Sequence, residues 1–289
     1  MFRRFGFFFL TNLLVIITIS IISSLLGVRG YMDANGINYQ SLLVWCLLWG
    51  MVGSFISLQM SRWSAKKMMG IQLIDPKSPG QFSWLTGKVE QCSRAANLPK
   101  LPEIGIYESP EINAFATGPS KSRSLVAFST GIINSMSQDE LEGVIAHEIA
   151  HIQNGDMVTM TLIQGVMNAF VLFFSRIISF AVANLFDENK RALVQIATTI
   201  IFDILLTILA HLVVNYFSRQ REYRADAGAA SLVGRDKMIA ALEHLKRRFE
   251  PMEDVKSLAT MKIAGAGDSF WSTHPSLDNR IGSLKNSYR

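Results

Sequence analysis

The sequence contains little charge and almost no cysteine. Only 18% of its 289 residues are charged and 49% are hydrophobic, whereas soluble domains average about 25% charged residues. The apolar residues are concentrated in a few blocks, which excludes a disordered chain, a collagen-like repeat and a plain coiled coil. Cys46 and Cys92 fit neither a disulfide-stapled secreted domain nor a CxxC or four-cysteine metal motif. We interpret both as small buried residues.

The sequence also lacks the usual features of nucleic-acid and nucleotide binding. The net charge is only +5, no basic stripe alternates with aromatic residues, and no glycine-rich phosphate loop is present. We therefore expect neither nucleic acid nor nucleotides among the partners.

Four apolar blocks are long enough to cross a membrane: residues 7–26, 41–60, 158–186 and 193–217. Each of the first two contains 20 uncharged residues, enough at 1.5 Å per residue to span a hydrocarbon core of about 30 Å. A cleaved signal peptide is the alternative for the first block, which is too long and lacks a good cleavage site. The last two blocks contain Arg176, Asp203 and His211, so a hairpin that packs partly inside the protein or lines a wet cavity stays open.

Basic residues lie at the ends of the first two blocks. Arg3 and Arg4 precede the first block, and Arg62, Lys66 and Lys67 follow the second. The positive-inside rule therefore predicts that both ends of this hairpin face the cytoplasm. If the second pair also crosses twice, residues 61–157 and 218–289 lie together on that side.

The part between the second and third blocks is predicted to combine helices with a small sheet. We expect a helix at 82–98 and strands at 103–108, 112–116 and 124–129. Ser137 and Glu140 match a capping box, which opens a helix that should run to about Asn154. Further helices are expected at 215–233, 236–249 and 276–288.

The capped helix carries the sequence His147-Glu148-Ile149-Ala150-His151. Residues four apart share a helix face, so the two imidazoles can converge on one zinc ion at about 2.0 to 2.1 Å. Glu148 could take a proton from the attacking water without being a ligand and pass it to the leaving amine. The pattern indicates peptide-bond hydrolysis. Two exposed histidines without a metal are the alternative.

The third ligand must come from another part of the chain. Asn154 and Met157 stand where the pattern H-E-x-x-H-x-x-G-x-x-H has Gly and His, which excludes that subclass. Glu222 is our candidate because Asp226, four residues later, could orient a ligand imidazole from the same helix face. An ordinary charged helix surface is the alternative. The small residues that would allow this helix to approach the first are Ala225, Ala229 and Ala230.

Two other segments are candidates for substrate contact. His274 or Arg280 could donate a hydrogen bond to the oxyanion that develops during attack, or they could be an ordinary loop histidine and helix-surface arginine. The segment Asn113-Ala114-Phe115-Ala116 could be an edge strand that takes an extended substrate by strand addition, or a core strand.

Together these motifs resemble the HtpX family of membrane proteases, relatives of the prenyl-protein CAAX endopeptidases. The resemblance covers almost the whole chain and includes Arg221-Glu222-Tyr-Arg-Ala-Asp226 and Thr273-His-Pro-Ser276. It implies that one Zn²⁺ per chain is bound by two histidines and one glutamate, with a catalytic base, a carboxylate that orients a ligand, and two residues that assist the substrate or the oxyanion. The implied zinc ligands are His147, His151 and Glu222, and the implied base is Glu148. Asp226 would orient a ligand, and His274 and Arg280 would assist the substrate or the oxyanion.

The resemblance also implies a fold and a cellular role. We expect a mainly α membrane protein with four transmembrane helices and a cytoplasmic α+β zincin-like metalloprotease domain. The expected segments are a transmembrane hairpin at 1–60, a cytoplasmic catalytic part at 61–157, a second hairpin at 158–217 and a second catalytic part at 218–289. The family implies a multi-pass endopeptidase of the bacterial inner membrane, active on the cytoplasmic side against misfolded membrane proteins under stress.

The sequence also leaves two other functions to consider. An intramembrane protease with its zinc helix inside the bilayer is disfavoured, because the helix around the motif is too polar to face lipid. A non-proteolytic metal-binding scaffold or a carrier that uses Arg176, Asp203 and His211 as an ion path is the second alternative.

Overall fold

The computed structural model describes residues 38–249 and 272–286 of the chain. The first predicted membrane block, 7–26, lies outside these residues. The described helices are α1 (Tyr39–Met68), α2 (Ser83–Ala95), α3 (Thr130–Ser135), α4 (Gln138–Asn154), α5 (Asp156–Ala183), α6 (Glu188–Val233), α7 (Arg235–Phe249) and α8 (Leu277–Asn286). The strands are β1 (Gln72–Leu73), β2 (Glu103–Tyr107), β3 (Ala114–Ser120) and β4 (Arg123–Ser129).

The chain divides into two compact units. The described part of the first unit comprises residues 38–57 and 160–214, and that of the second comprises 58–159 and 215–286 with the gap noted above. Among the described residues, α1, α5 and α6 are long and apolar enough to cross a membrane. The second, third and fourth apolar blocks therefore all lie on helices of the predicted kind.

The first unit contains polar contacts between apolar helices. Arg176 on α5 forms an ion pair with Asp203 on α6, with 3.2 Å between Nη1 and Oδ2. Ser175 donates a hydrogen bond to the same carboxylate. The charges that lowered the hydropathy of the third and fourth blocks thus pair with each other, which reduces the cost of placing them in an apolar environment.

The second unit contains a four-stranded sheet in the order β1-β2-β4-β3. Strands β2 and β4 are parallel, and the two outer strands are antiparallel to their neighbours. Strand β3 is an edge strand, because among the described residues only β4 pairs with it. The strand predicted at 112–116 is observed at Ala114–Ser120. Just before it, the main chain of Asn113 bonds to Ser129. At its other end, the pairing with β4 continues through an irregularity between Thr117 and Ser120.

Helix α4 lies at the centre of this unit and packs against α2, α7 and β3. Its start is fixed by the predicted capping box: Ser137 Oγ accepts from the Glu140 amide, and the Glu140 carboxylate accepts from the Ser137 amide at 2.8 Å. Its end is fixed by Gly155, whose φ of 76° is a left-handed conformation that favours glycine. The predicted helix from the cap to Asn154 is confirmed.

Helix α6 continues without interruption from the apolar block to Val233. The predicted small residues allow its last turns to lie against α4, with Ala225 and Ala229 fully buried. At Gly228, an added Cβ would come within 2.9 Å of the Ala150 Cβ. A larger residue at this position would therefore separate the helix that carries His147 and His151 from the helix that carries Glu222.

Candidate active site

Three side chains from α4 and α6 converge on one point. His147 Nε2 and His151 Nε2 are 3.1 Å apart. Glu222 Oε2 lies 3.5 Å from His147 Nε2, and its Oε1 lies 3.4 Å from His151 Nε2. One ligand atom from each residue can be chosen so that all three lie within 4.8 Å of one another. This grouping could hold a metal ion.

The outer nitrogen of each imidazole faces a buried carboxylate. His147 Nδ1 lies 3.0 Å from Asp226 Oδ1, and His151 Nδ1 donates to Asp156 Oδ2 at 2.7 Å. A carboxylate accepts hydrogen bonds, so in a neutral imidazole the proton lies on Nδ1. Both Nε2 lone pairs therefore face the shared point with Glu222.

Arg280 supports one of these carboxylates from α8. Its Nε and Nη2 donate to the two oxygens of Asp226 at 2.8 and 2.6 Å. Its Nη1 lies 3.5 Å from Glu222 Oε2. Arg280 is only 4% exposed, so this bidentate pair satisfies a charge that would be costly to bury alone.

The carboxylates around the histidines favour positive charge. Burial alone would lower the pKa of His147, but its hydrogen bonds to Asp226 and Glu222 raise it to about 9. Burial and the neighbouring His147 would also lower the pKa of His151, while Asp156 and Glu222 raise it. A cation at the shared point would meet the same attraction.

His274 lies beside Glu222 in the loop before α8. Its Nδ1 is 3.2 Å from Glu222 Oε2 but, among the described residues, makes no hydrogen bond of good geometry. The loop is held by Arg219 on α6, whose Nη1 donates to the Ser272 carbonyl at 2.8 Å. The Ser272 hydroxyl in turn bonds to the main chain of His274.

A cavity of about 90 Å³ opens onto this group. Glu148, Asn113 and Ala114 line it together with His147 and Glu222. Ala114, Phe115 and Ala116 lie in the edge strand β3, and Asn113 immediately precedes it. The structure therefore brings together every site residue that the sequence predicted, apart from Phe115 and Ala116, which lie further along the strand.

Asp156 was not predicted as part of the site. It is 2% exposed, lies five residues after His151 and is the first residue of α5. The intervening Gly155 turn brings its carboxylate back towards the end of α4. No motif spacing links a ligand histidine to a carboxylate five residues later. The one signal in the sequence was a carboxylate just beyond the end of the helix that carries the histidines.

Two histidines and a glutamate that could hold a metal lie beside a second glutamate, on a chain with helices long enough to cross a membrane, and this combination is typical of membrane metalloproteases. Residues 79–287 match the family model of peptidase family M48. The chain belongs to this family. Membership implies a bound metal and peptide or protein substrates, and it favours an enzyme over the scaffold or carrier.

Several proteases are similar in sequence to this chain over nearly its whole length. The protease HtpX homolog of Bacillus licheniformis is 50% identical over 98% of this chain and 99% of its own length. The homologs of Bacillus subtilis and Neisseria meningitidis serogroup C are each 48% identical, again over 98% of this chain and 99% of theirs. The crystal structure of S. mikatae Ste24p has a similar fold, with a TM-score of 0.60, 18% identity and coverage of 98% of this chain and 69% of that one.

Proposed function

We propose that this chain is a zinc-dependent endopeptidase of the bacterial inner membrane that hydrolyses misfolded or damaged membrane proteins on the cytoplasmic side. The observation that carries the proposal is the group of His147, His151 and Glu222, with Glu148 in the same cavity as His147 and Glu222. The HtpX homologs at 48 to 50% identity are named proteases, which supports the endopeptidase activity.

The residues present fit one zinc ion. Two imidazole nitrogens and one carboxylate are a ligand set that catalytic zinc sites use, with a further position left for water or substrate. Among the described residues, Glu222 Oε1 is buried and has no hydrogen-bond partner. Binding of a cation by His147, His151 and Glu222 would satisfy this atom.

A bound zinc ion would supply Lewis-acid activation of water and of the substrate carbonyl. Glu148 accepts the proton of the attacking water and returns it to the leaving amine. Glu148 is 8% exposed, so the proton is held beside the reacting atoms instead of passing to bulk solvent. Asp226 and Asp156 keep the ligand imidazoles in the required tautomer and orientation.

His274 and Arg280 take different roles in this proposal. His274 lines the cavity, and its side chain is 28% exposed. It can therefore donate to the substrate carbonyl oxygen as negative charge develops there. The Arg280 guanidinium is already engaged by Asp226. Arg280 thus acts as a positioning residue for Asp226 and, through it, for His147.

The edge strand β3 is proposed to bind the substrate backbone. Its unpaired side would accept an extended peptide as an added strand along Ala114, Phe115 and Ala116. Asn113 lies at the start of this path and lines the same cavity as Glu148. A peptide bond held there would lie beside the proposed general base.

We propose that the membrane separates the chain into four segments. Residues 1–60 and 158–217 form two hairpins that cross it, and residues 61–157 and 218–289 form the cytoplasmic catalytic part. Two observations support this orientation. Lys66 and Lys67 lie in the last turn of α1, and three arginines follow the apolar part of α6 at Arg219, Arg221 and Arg224.

The proposal is tested by Glu148→Gln in the full chain, purified in detergent. Bound zinc should remain at the wild-type level, and casein or self-cleavage should fall about 10² to 10⁴-fold. Asp139→Asn, on the same helix with a side chain that is 74% exposed, is the control and should cleave normally. Proteolysis that survives Glu148→Gln would rule out this mechanism.

A further inference from the structure

The loop between β2 and β3, residues 108–113, leads into the edge strand that is proposed to bind substrate. It is held by the segment Ser129-Thr130-Gly131, where β4 ends and α3 begins. The Gly131 amide donates to the Ser109 carbonyl at 2.8 Å. The Thr130 hydroxyl accepts from the Ser109 amide at 3.1 Å. The first half of the loop is therefore attached to the start of α3.

The second half of the loop is attached to the hydroxyl of Ser129. This hydroxyl donates to the Glu111 carbonyl at 2.6 Å. It accepts from the amides of Asn113 and Ile132 at 3.2 and 3.0 Å. A hydroxyl offers one donor and two acceptor positions, so all three are used. Ser129 is fully buried, and alanine at this position would remove one partner from each of three main-chain groups.

Ser129 also determines how the edge strand begins. Its amide donates to the Asn113 carbonyl at 3.0 Å, so both main-chain groups of Asn113 are turned towards β4. In an antiparallel pair, successive residues alternate between bonding to the partner strand and facing away from it. The main-chain groups of Ala114 and Ala116 therefore point to the opposite edge, which no other strand covers within the described ranges.

The close approach of the loop to α3 also requires glycine at position 131. A Cβ added to Gly131 would lie 2.5 Å from the Pro110 carbonyl oxygen and 2.6 Å from that of Glu111. Both neighbours are main-chain atoms, so an alanine at this position would displace the loop. Gly131→Ala thus disturbs the same loop as a change at Ser129 but leaves every hydroxyl in place.

We infer that Ser129 is a positioning residue for substrate binding: it acts through Asn113 and fixes the register in which β3 presents its open edge. The inference rests on the proposed function, which places the substrate on β3. Asn113 lines the cavity that contains Glu148, so a shift at Asn113 would move the start of the substrate path relative to the proposed base. Contacts to the substrate main chain exist both before and during the reaction. Their loss should therefore weaken binding more than the chemical step.

The test compares Ser129→Ala with Ser124→Ala in the full chain, purified in detergent, with a casein-derived peptide as substrate. Ser124 lies on the same strand and is also buried, but its hydroxyl donates to the Lys121 carbonyl at the other end of β4. Ser129→Ala should raise KM about two- to tenfold, with kcat and bound zinc at the wild-type level. Ser124→Ala should leave KM unchanged. Ser129→Thr keeps the hydroxyl and should have a KM closer to the wild type than Ser129→Ala.

A second variant and a readout that needs no activity complete the test. Gly131→Ala should also raise KM, and it carries the test if Ser129→Ala does not fold. Hydrogen exchange over residues 113–116 should be faster in both variants than in Ser124→Ala. Unchanged KM and exchange, or a fall in kcat and zinc with unchanged KM, would overturn the positioning role. Faster exchange and a raised KM, combined with cleavage that survives Glu148→Gln, would overturn the proposed mechanism and leave the positioning role supported.

Discussion

Asp156→Asn examines whether the carboxylate beyond the end of α4 supports the metal site. The His151–Asp156 hydrogen bond is short at 2.7 Å and partly buried, with the Asp156 side chain almost fully buried. Asparagine can still accept this bond, but it is neutral and leaves the imidazole less basic. Loss of such outer partners costs about 10 to 100-fold in metal affinity, which is about 1.4 to 2.7 kcal/mol. We expect zinc affinity to fall within this range.

The surroundings explain why the effect should be partial and specific. His147 keeps its partner Asp226, so the ion is still bound. Arg224, the basic residue near Asp156, is 3.8 Å away and its side chain is 60% exposed, so little buried charge is released. Asp226→Asn should differ, because it weakens the partner of the buried Arg280 guanidinium and therefore lowers folding stability as well as zinc affinity.

The assay is competition between the full chain and a chelating dye for zinc, with thermal unfolding of the metal-free forms measured alongside. Asp236→Asn is the matched control, since it makes the same substitution in the first turn of α7 at an exposed residue. Asp236→Asn should bind zinc as tightly as the wild type. If Asp156→Asn also binds zinc as tightly, Asp156 does not support the metal site.

Two further predictions concern folding and topology. Ser137→Ala removes the side-chain acceptor of the α4 capping box and should lower the free energy of unfolding by about 0.5 to 2 kcal/mol in a denaturant titration; an unchanged midpoint would show that packing alone fixes this helix. Glu188→Cys, at the start of α6, should react with a membrane-impermeant thiol reagent only from the side opposite the catalytic part, in a background that lacks Cys46 and Cys92. Labelling from the cytoplasm alone would contradict four crossings.

The local features of the site were predictable because short-range rules determine them. A capping box and a helical spacing of four were enough to predict the start of α4 and the facing histidines from sequence alone. Glu222 and Asp226 could also be chosen, because the four-residue spacing and the small residues around them indicated a helix that lies close to another. Burial of both cysteines followed from their apolar surroundings.

Other features depend on contacts between distant segments. The pairing of Arg280 with Asp226 joins residues 54 positions apart, and no periodicity indicates it; the sequence left Arg280 as a possible donor to substrate. Asp156 was missed because the Gly155 turn, not helical spacing, brings it to His151. Strand β1 has only two residues, too few for any sequence pattern, and β3 was misplaced because main-chain bonds to Ser129 set its start.

The proposed mechanism depends on one zinc ion bound by His147, His151 and Glu222. The most direct test is elemental analysis of the freshly purified full chain and of its Glu222→Ala variant, both prepared without added chelator. We expect about one zinc per wild-type chain and a sharp loss in Glu222→Ala, with the variant still inserted in the membrane. A wild-type chain that holds no transition metal and gains no activity from added metal, or a Glu222→Ala variant that keeps its full zinc content, would contradict it.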